Sequence, residues 1–198
     1  MAATAQTFLF MDLVGFTALT AEYGDDNAAE VALRLYAYVR EVLPEHDGEE
    51  IKTIGDAMMI RCPDPRRGVE LGLRISEQLG DDHDFPPVRV GLHTGSAVSR
   101  DGDWYGNAVN VASRLCSAAG GGEVLVSDAT REAAGCDRQF DYGERRLHWL
   151  KNVPDPVAAR PVARCERPAP QPALRRLAGL KARTLPAGLQ LRHSEVAG

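Results

Sequence analysis

The sequence predicts an α+β or α/β sandwich, with helices lying on a central sheet. Three observations carry that reading. Short apolar runs alternate with longer segments whose apolar residues recur every three or four positions. The segments follow in the order strand, helix, two strands, helix, strand, helix, strand, helix, strands. That interleaving calls for helices packed on a sheet. Finally, 198 residues with 44% hydrophobic content suffice for one domain with a sizeable core and hold two only with difficulty.

The elements follow in order. "TFLFMDLVGF" reads as a buried first strand that ends near Asp12 and Gly15. "DDNAAEVALRLYAYVREVLPEHDG" is the clearest helix, with Val31, Leu35, Tyr38, Val39 and Val42 at helical spacing and Pro44 marking its exit. "EEIKTIG" and "AMMIRC" form two short strands joined by a tight turn at Gly55-Asp56. "RRGVELGLRISEQLG" makes a helix and "VRVGLHTGSAVS" a strand. "GNAVNVASRLCSAAGGG" is helical in pattern and stops at a glycine triplet suited to leaving a helix. "EVLVS" is a strand, and Ser127 or Asp128 is placed to cap the short helix "DATREAA". "FDYGERRLHWL" and "PVAARPVAR" complete the strands. The expected division is a folded domain over 1–165 and a tail over 166–198, which holds four prolines among Ala, Arg and Leu and reads first as flexible, with a short basic amphipathic helix at "PALRRLAGLKARTL" as the alternative. No sensor domain is expected before residue 7 or within the tail.

Composition excludes several classes. The net charge is −5, and the six Lys or Arg of the tail against its two Glu leave the main domain at −9. No basic run offers a nucleic-acid footprint, so no nucleic-acid partner is expected. Cys62, Cys116, Cys136 and Cys165 stand at spacings of 54, 20 and 29, with no C-x-x-C pair, so reduced cysteines are expected rather than a zinc or redox site. No apolar run approaches the length of a membrane span, so no membrane insertion is expected. The N-terminus lacks a charged n-region and carries an Asp inside its apolar run, unlike a signal peptide. A cytoplasmic protein is expected.

Chemistry concentrates in a few places. "IKTIGDAMMI" places Lys52 and Asp56 in an otherwise apolar run, where an unpaired charge is costly. Asp12 sits between large apolar neighbours, and it and Asp56 fall at strand ends or turns beside glycines. Two such carboxylates suit Mg²⁺ or Mn²⁺, and two cations about 4 Å apart can activate an attacking oxygen and stabilise a leaving phosphate. Taken singly, Asp56 reads first as a turn cap, whereas Asp12, between large apolar neighbours, is less easily read that way. Gly15, Phe16 and Thr17 form a strand–glycine–helix junction whose backbone N–H groups favour phosphate oxygens, although many such turns bind nothing. Asn110 and Arg114, four apart, share one helix face. They suit a phosphate or a charged transition state, or simply a solvated face.

Taken together, "FLFMDLVGFTALT", "IKTIGDAMMI", "VRVGLHTG" and "DWYGNAVNVASRL" resemble the catalytic domain of the class III nucleotidyl cyclases. The resemblance runs over about residues 7–164. It implies a ferredoxin-like βαββαβ core with a mostly antiparallel sheet. It also implies a homodimer that makes a cyclic nucleotide from a nucleoside triphosphate with two divalent cations per site, Mg²⁺ or Mn²⁺. By position, Asp12 and Asp56 match the family's metal-binding aspartates, with Leu13 beside them in the metal set. Lys52 and Asp103 match the pair that reads the purine, and Asn110 and Arg114 the pair that orients the ribose and stabilises the transition state. Phe16 and Thr17 fall in the triphosphate-binding turn. Arg89 and Lys151 match basic residues that contact the triphosphate, although Asn152 stands where the family usually has Gly. His93, on the strand of Arg89, is given no chemical role.

The base choice follows from hydrogen-bond polarity. Adenine offers an N1 acceptor and an N6 donor, which a Lys donor and an Asp acceptor complement. Guanine reverses that arrangement and leaves polar groups mismatched in a desolvated pocket. The expected activity is adenylate cyclase, with ATP as substrate and 3′,5′-cyclic AMP and pyrophosphate as products. The competing expectation is a catalytically silent nucleotide-binding module of the same fold.

Overall fold

The computed structural model describes residues 4–81 and 85–165. Nine strands appear in chain order: β1 (Thr4–Leu13), β2 (Glu49–Ile54), β3 (Ala57–Cys62), β4 (Val88–Arg100), β5 (Asp103–Tyr105), β6 (Val124–Ser127), β7 (Phe140–Tyr142), β8 (Arg146–His148) and β9 (Val157–Arg164). The helices are α1 (Phe16–Tyr23), α2 (Asp25–Val42), α3 (Pro65–Gly80), α4 (Asn107–Ala118) and α5 (Asp128–Ala134). The strands form one sheet in the order β2-β3-β1-β4-β6-β9-β7, with β5 paired to β4 and β8 to β9. β4 and β6 run parallel, and every other pair is antiparallel. This is the α+β architecture expected from the sequence.

Strand alternation along β1 sorts its side chains between two cores. Leu9, Met11 and Leu13 join the larger core with the buried faces of α2 and α3. Phe8 and Phe10 face the other way and pack with Met59 of β3 and with Ala108, Ala112 and Cys116 of α4. The second face therefore carries α4, held very close to the sheet. A Cβ at Gly91 of β4 would stand 2.0 Å from the Cys116 backbone nitrogen, so only glycine admits this approach.

Several boundaries differ from the sequence reading for local reasons. A separate helix, α1, precedes α2, and Gly24 breaks the chain between them at φ 84°. α2 ends at Val42, and Leu43–His46, containing Pro44, continue as a 3₁₀ turn. α3 starts at Pro65, one residue earlier than expected, behind an Asp64 side chain that accepts from the Arg66 and Arg67 N–H groups. α4 stops at Ala118, just before the glycine triplet. The run 140–150 divides into β7 and β8, each pairing with β9. Ser127 rather than Asp128 caps α5, accepting from the Thr130 N–H at 3.2 Å. All four cysteines are free. No described helix is long and apolar enough to cross a membrane. The tail expected over 166–198 lies outside the described residues.

Candidate active site

Asp12 and Asp56 converge from different elements. Asp12 is the penultimate residue of β1, and alternation turns it to the α4 face along with Phe8 and Phe10. Asp56 is the second residue of the two-residue β2–β3 turn, in which Ile54 pairs with Ala57 and Gly55 takes φ 63°. Because β3 neighbours β1, the turn meets the end of β1, and the Leu13 N–H donates to Asp56 Oδ2 at 3.3 Å. Burial, and then the adjoining Asp12 carboxyl, push the Asp56 pKa up to about 6. Two carboxyls pressed together this way resist joint ionisation, and a hard divalent cation relieves the conflict through oxygen ligands. Among the described residues no group of three or more His, Cys, Asp or Glu forms. A cation held by these two carboxylates would complete its shell with other oxygens, such as a backbone carbonyl, water or substrate phosphate.

Arg89 lies against the same site. It stands directly across from Asp12 in the β1–β4 register and gives Nε (3.1 Å) and Nη2 (2.5 Å) to Asp12 Oδ2. Its Nη1 reaches the Ser117 carbonyl at the end of α4, at 3.3 Å. A guanidinium fixed at a half-buried carboxylate is well placed to meet phosphate oxygens as well.

Lys52 finds its partner across the sheet face. Its Nζ lies 2.5 Å from Asp103 Oδ2, while Asp103 Oδ1 accepts from the Trp104 N–H at 2.8 Å. The Lys52 hydrogen bond, with help from Trp104, holds the Asp103 carboxyl below the usual carboxylate range. Lys52 stands opposite Met59 on the strand pair, and Met59 belongs to the core beneath α4. Trp104 is wedged in turn, edge-on to Phe8 with ring centroids 5.7 Å apart, and under the Arg61 guanidinium at 5.4 Å.

Among the described residues, no side-chain hydrogen bond ties Asn110, Arg114, Phe16, Thr17, Lys151 or His93 to either cluster. Asn110 and Arg114 share the exposed face of α4, opposite the buried Ala108, Val111, Ala112, Leu115 and Cys116. Neither side chain has a partner among the described residues. Phe16 and Thr17 open α1, whose N-cap Gly15 (φ 81°) offers no side-chain cap and leaves first-turn N–H groups open. Phe16 packs on the larger core, whereas Thr17 is exposed. Lys151 is exposed between β8 and β9, and no hydrogen bond joins it to either cluster among the described residues. Asn152 beside it takes φ 62°, a left-handed conformation that Asn adopts more readily than most residues and that favours Gly. His93 is held by Ser127 Oγ at 2.9 Å, and burial pulls its pKa down to about 4, as suits a neutral structural side chain.

Three contributors carry no sequence signal of their own. The Ser117 carbonyl is a backbone group. Trp104 reads as an ordinary aromatic until Phe8 and Arg61 are seen around it. Tyr36 of α2, whose hydroxyl donates to the Gly55 carbonyl in the Asp56 turn, looks like any core position on a helix.

Comparison with known proteins bears on the family and the fold. The family described as Adenylate and Guanylate cyclase catalytic domain matches residues 3–152. The chain is 42% identical over 151 residues to the pH-sensitive adenylate cyclase MT1302 of Mycobacterium tuberculosis, covering 73% of this chain and 38% of the relative. It is 34% identical over 146 residues to an adenylate cyclase of Glutamicibacter nicotianae, covering 74% of this chain and 36% of that protein. It thus spans less than two fifths of the length of either relative. In fold it is similar to the adenylyl cyclase CyaB from P. aeruginosa, with TM-score 0.71, 21% identity and coverage of 84% of this chain and 98% of that one. It is equally similar to the guanylate cyclase domain of RhGC from Catenaria anguillulae, with TM-score 0.71, 23% identity and coverage of 81% and 97%. The match over residues 3–152 includes both carboxylates and the Lys52–Asp103 pair, and on it the chain belongs to the adenylate and guanylate cyclase catalytic domain family.

Proposed function

We propose that the protein is an adenylate cyclase that converts ATP to 3′,5′-cyclic AMP and pyrophosphate, working as a homodimer. The observation that carries the reading is the Lys52–Asp103 pair, a donor and an acceptor side by side on the face that also holds Asp12. An N1 acceptor and an N6 donor, as on adenine, satisfy both groups. Guanine would set donor against donor and acceptor against acceptor.

Asp12 and Asp56, with the Leu13 backbone carbonyl, would hold two divalent cations, Mg²⁺ or Mn²⁺. When bound, the cations lower the pKa of the ribose 3′-hydroxyl and offset the triphosphate charge. Arg89 and the open N–H groups at Phe16 and Thr17 then receive phosphate oxygens, with Lys151 reaching the triphosphate from the β8–β9 turn. Asn110 orients the ribose so that its 3′-oxygen lies in line with the bond to be broken. The 3′-hydroxyl gives up its proton to solvent, and its oxygen forms a bond to the α-phosphorus as the bond to the bridging oxygen breaks and pyrophosphate leaves. Arg114, lacking an ion-pair partner among the described residues, compensates the charge that builds on the α-phosphoryl oxygens. Exposed Ile54, beside the Asp56 turn, and exposed Tyr105, near Asp103, favour burial of this surface against a second copy.

The test is direct. Purified protein incubated with ATP and Mn²⁺ is expected to release cyclic AMP, and Asp12→Ala and Asp56→Ala are each expected to reduce it to background with the fold retained by circular dichroism. No product from the wild-type chain overturns the cyclase reading. Near-wild-type activity in either variant overturns the metal assignment alone.

A further inference from the structure

The β2–β3 hairpin carries both Lys52 and Asp56, and helix α2 grips it at two places. At its base, Arg40 makes a two-pronged ion pair with Glu50, with Nε–Oε2 2.6 Å and Nη2–Oε1 2.7 Å. At its tip, the buried Tyr36 hydroxyl donates to the Gly55 carbonyl, one residue before Asp56. Tyr36 and Arg40 are four residues apart on one helix face, and the Arg40 guanidinium lies over the Tyr36 ring, 5.7 Å from its centroid. The tip has little else to fix it. Gly55 and Ile54 are exposed, and a Cβ at Gly55 would meet nothing within 4 Å. An open groove of about 390 Å³ borders the tip, lined by Gly55, by Tyr36, Ala32 and Leu33 of α2, and by Phe16 and Thr20 of α1. Among the described residues, the Asp56 carboxyl meets the Leu13 N–H and the Asp12 carboxyl, and the Gly55 carbonyl accepts from Tyr36. The Leu13 bond is to the carboxylate itself, so the backbone of the turn rests on Tyr36.

We infer that Tyr36 is a positioning residue for the metal site, its hydroxyl holding the Gly55–Asp56 turn so that the Asp56 carboxylate is presented beside Asp12. The inference rests on the reading of Asp56 as a metal ligand. A residue that orients a ligand contributes to cation affinity without touching the cation, and loss of such support typically weakens binding by about 10–100-fold. Tyr38 supplies an internal control. It lies on the same helix and half-buried, but its hydroxyl reaches the Arg74 carbonyl at 3.4 Å, away from the hairpin.

The experiment compares Tyr36→Phe and Tyr38→Phe in the full chain. Each variant removes one hydroxyl and keeps the ring. Binding of Mn²⁺ alone is followed by electron paramagnetic resonance, and amide hydrogen exchange is followed over residues 54–57. Tyr36→Phe is expected to weaken Mn²⁺ binding about tenfold and to speed exchange at the turn. Tyr38→Phe is expected to change neither, at a comparable melting temperature. Wild-type Mn²⁺ affinity in Tyr36→Phe overturns the inference and leaves the metal reading intact, whatever happens to the melting temperature. Equal weakening in both variants also overturns it, because a general loss of α2 packing would then be the cause. No Mn²⁺ binding by the wild-type chain overturns the metal reading and, with it, this inference.

Discussion

Lys52 and Asp56 stand four residues apart in one apolar run, yet their partners lie in different parts of the chain. Lys52 is neutralised by Asp103, fifty-one residues away, and Asp56 is pressed against Asp12. The two charges therefore belong to separate clusters, and each residue type is accounted for by its own surroundings. At this scale the base preference becomes testable. Lys52→Glu combined with Asp103→Cys is expected to lower the ratio of kcat/KM for ATP over GTP by about two orders of magnitude, because the polarity of the pocket is changed at both positions. An unchanged ratio in a folded double variant would mean that other side chains read the base. The identities of the candidate residues were legible in the sequence, since Asp12, Lys52 and Arg114 are conspicuous against apolar surroundings. Their pairings were not, because a strand run carries no record of which distant residue faces it.

Among the elements, β4 and α4 hold the site together. Arg89 and Gly91 alternate on the same face of β4. The first is bonded to Asp12 and to the end of α4, and the second lets α4 settle onto the sheet. Gly91→Ala would drive its Cβ against the Cys116 and Leu115 backbone, which has no flexible end to move aside. The expected cost is about 3 kcal/mol, seen as a fall in melting temperature on the order of 10 °C. A variant as stable as the wild type would show that α4 shifts freely, and that the close approach does not fix Asn110 and Arg114. Element types were readable from periodicity, as α3 and the β2–β3 hairpin illustrate. The divisions were less so. The helix read from the sequence starts at Asp25, and α1 before it is a separate element, divided from α2 by Gly24 at φ 84°. β5, only three residues long, exists because β4 extends past β1 and folds back on it.

On the scale of the whole molecule, the candidate residues form two groups on one sheet face, Asp12, Asp56 and Arg89 in one and Lys52 and Asp103 in the other. In the proposed two-fold dimer, the metal group of one protomer meets the base-reading group of its partner, so one hairpin serves both sites. Chains bearing Lys52→Ala mixed with chains bearing Asp56→Ala are then expected to regain about a quarter of wild-type activity, since half of the dimers are mixed and each holds one intact site. No recovery, with mixed dimers shown to form, would place Lys52 and Asp56 in the same site. The sequence by itself determined that helices pack on a sheet, most of the element order, the family resemblance and the residue types available for chemistry, because periodicity, turn residues and isolated charges are local properties. The tertiary structure decided what those residues face: the Lys52–Asp103 pair, Arg89 bound to Asp12, the raised pKa of Asp56 and the Tyr36 hold on its turn. Each of these depends on strand order, register and burial, which bring together residues far apart in the chain and set the dielectric around them.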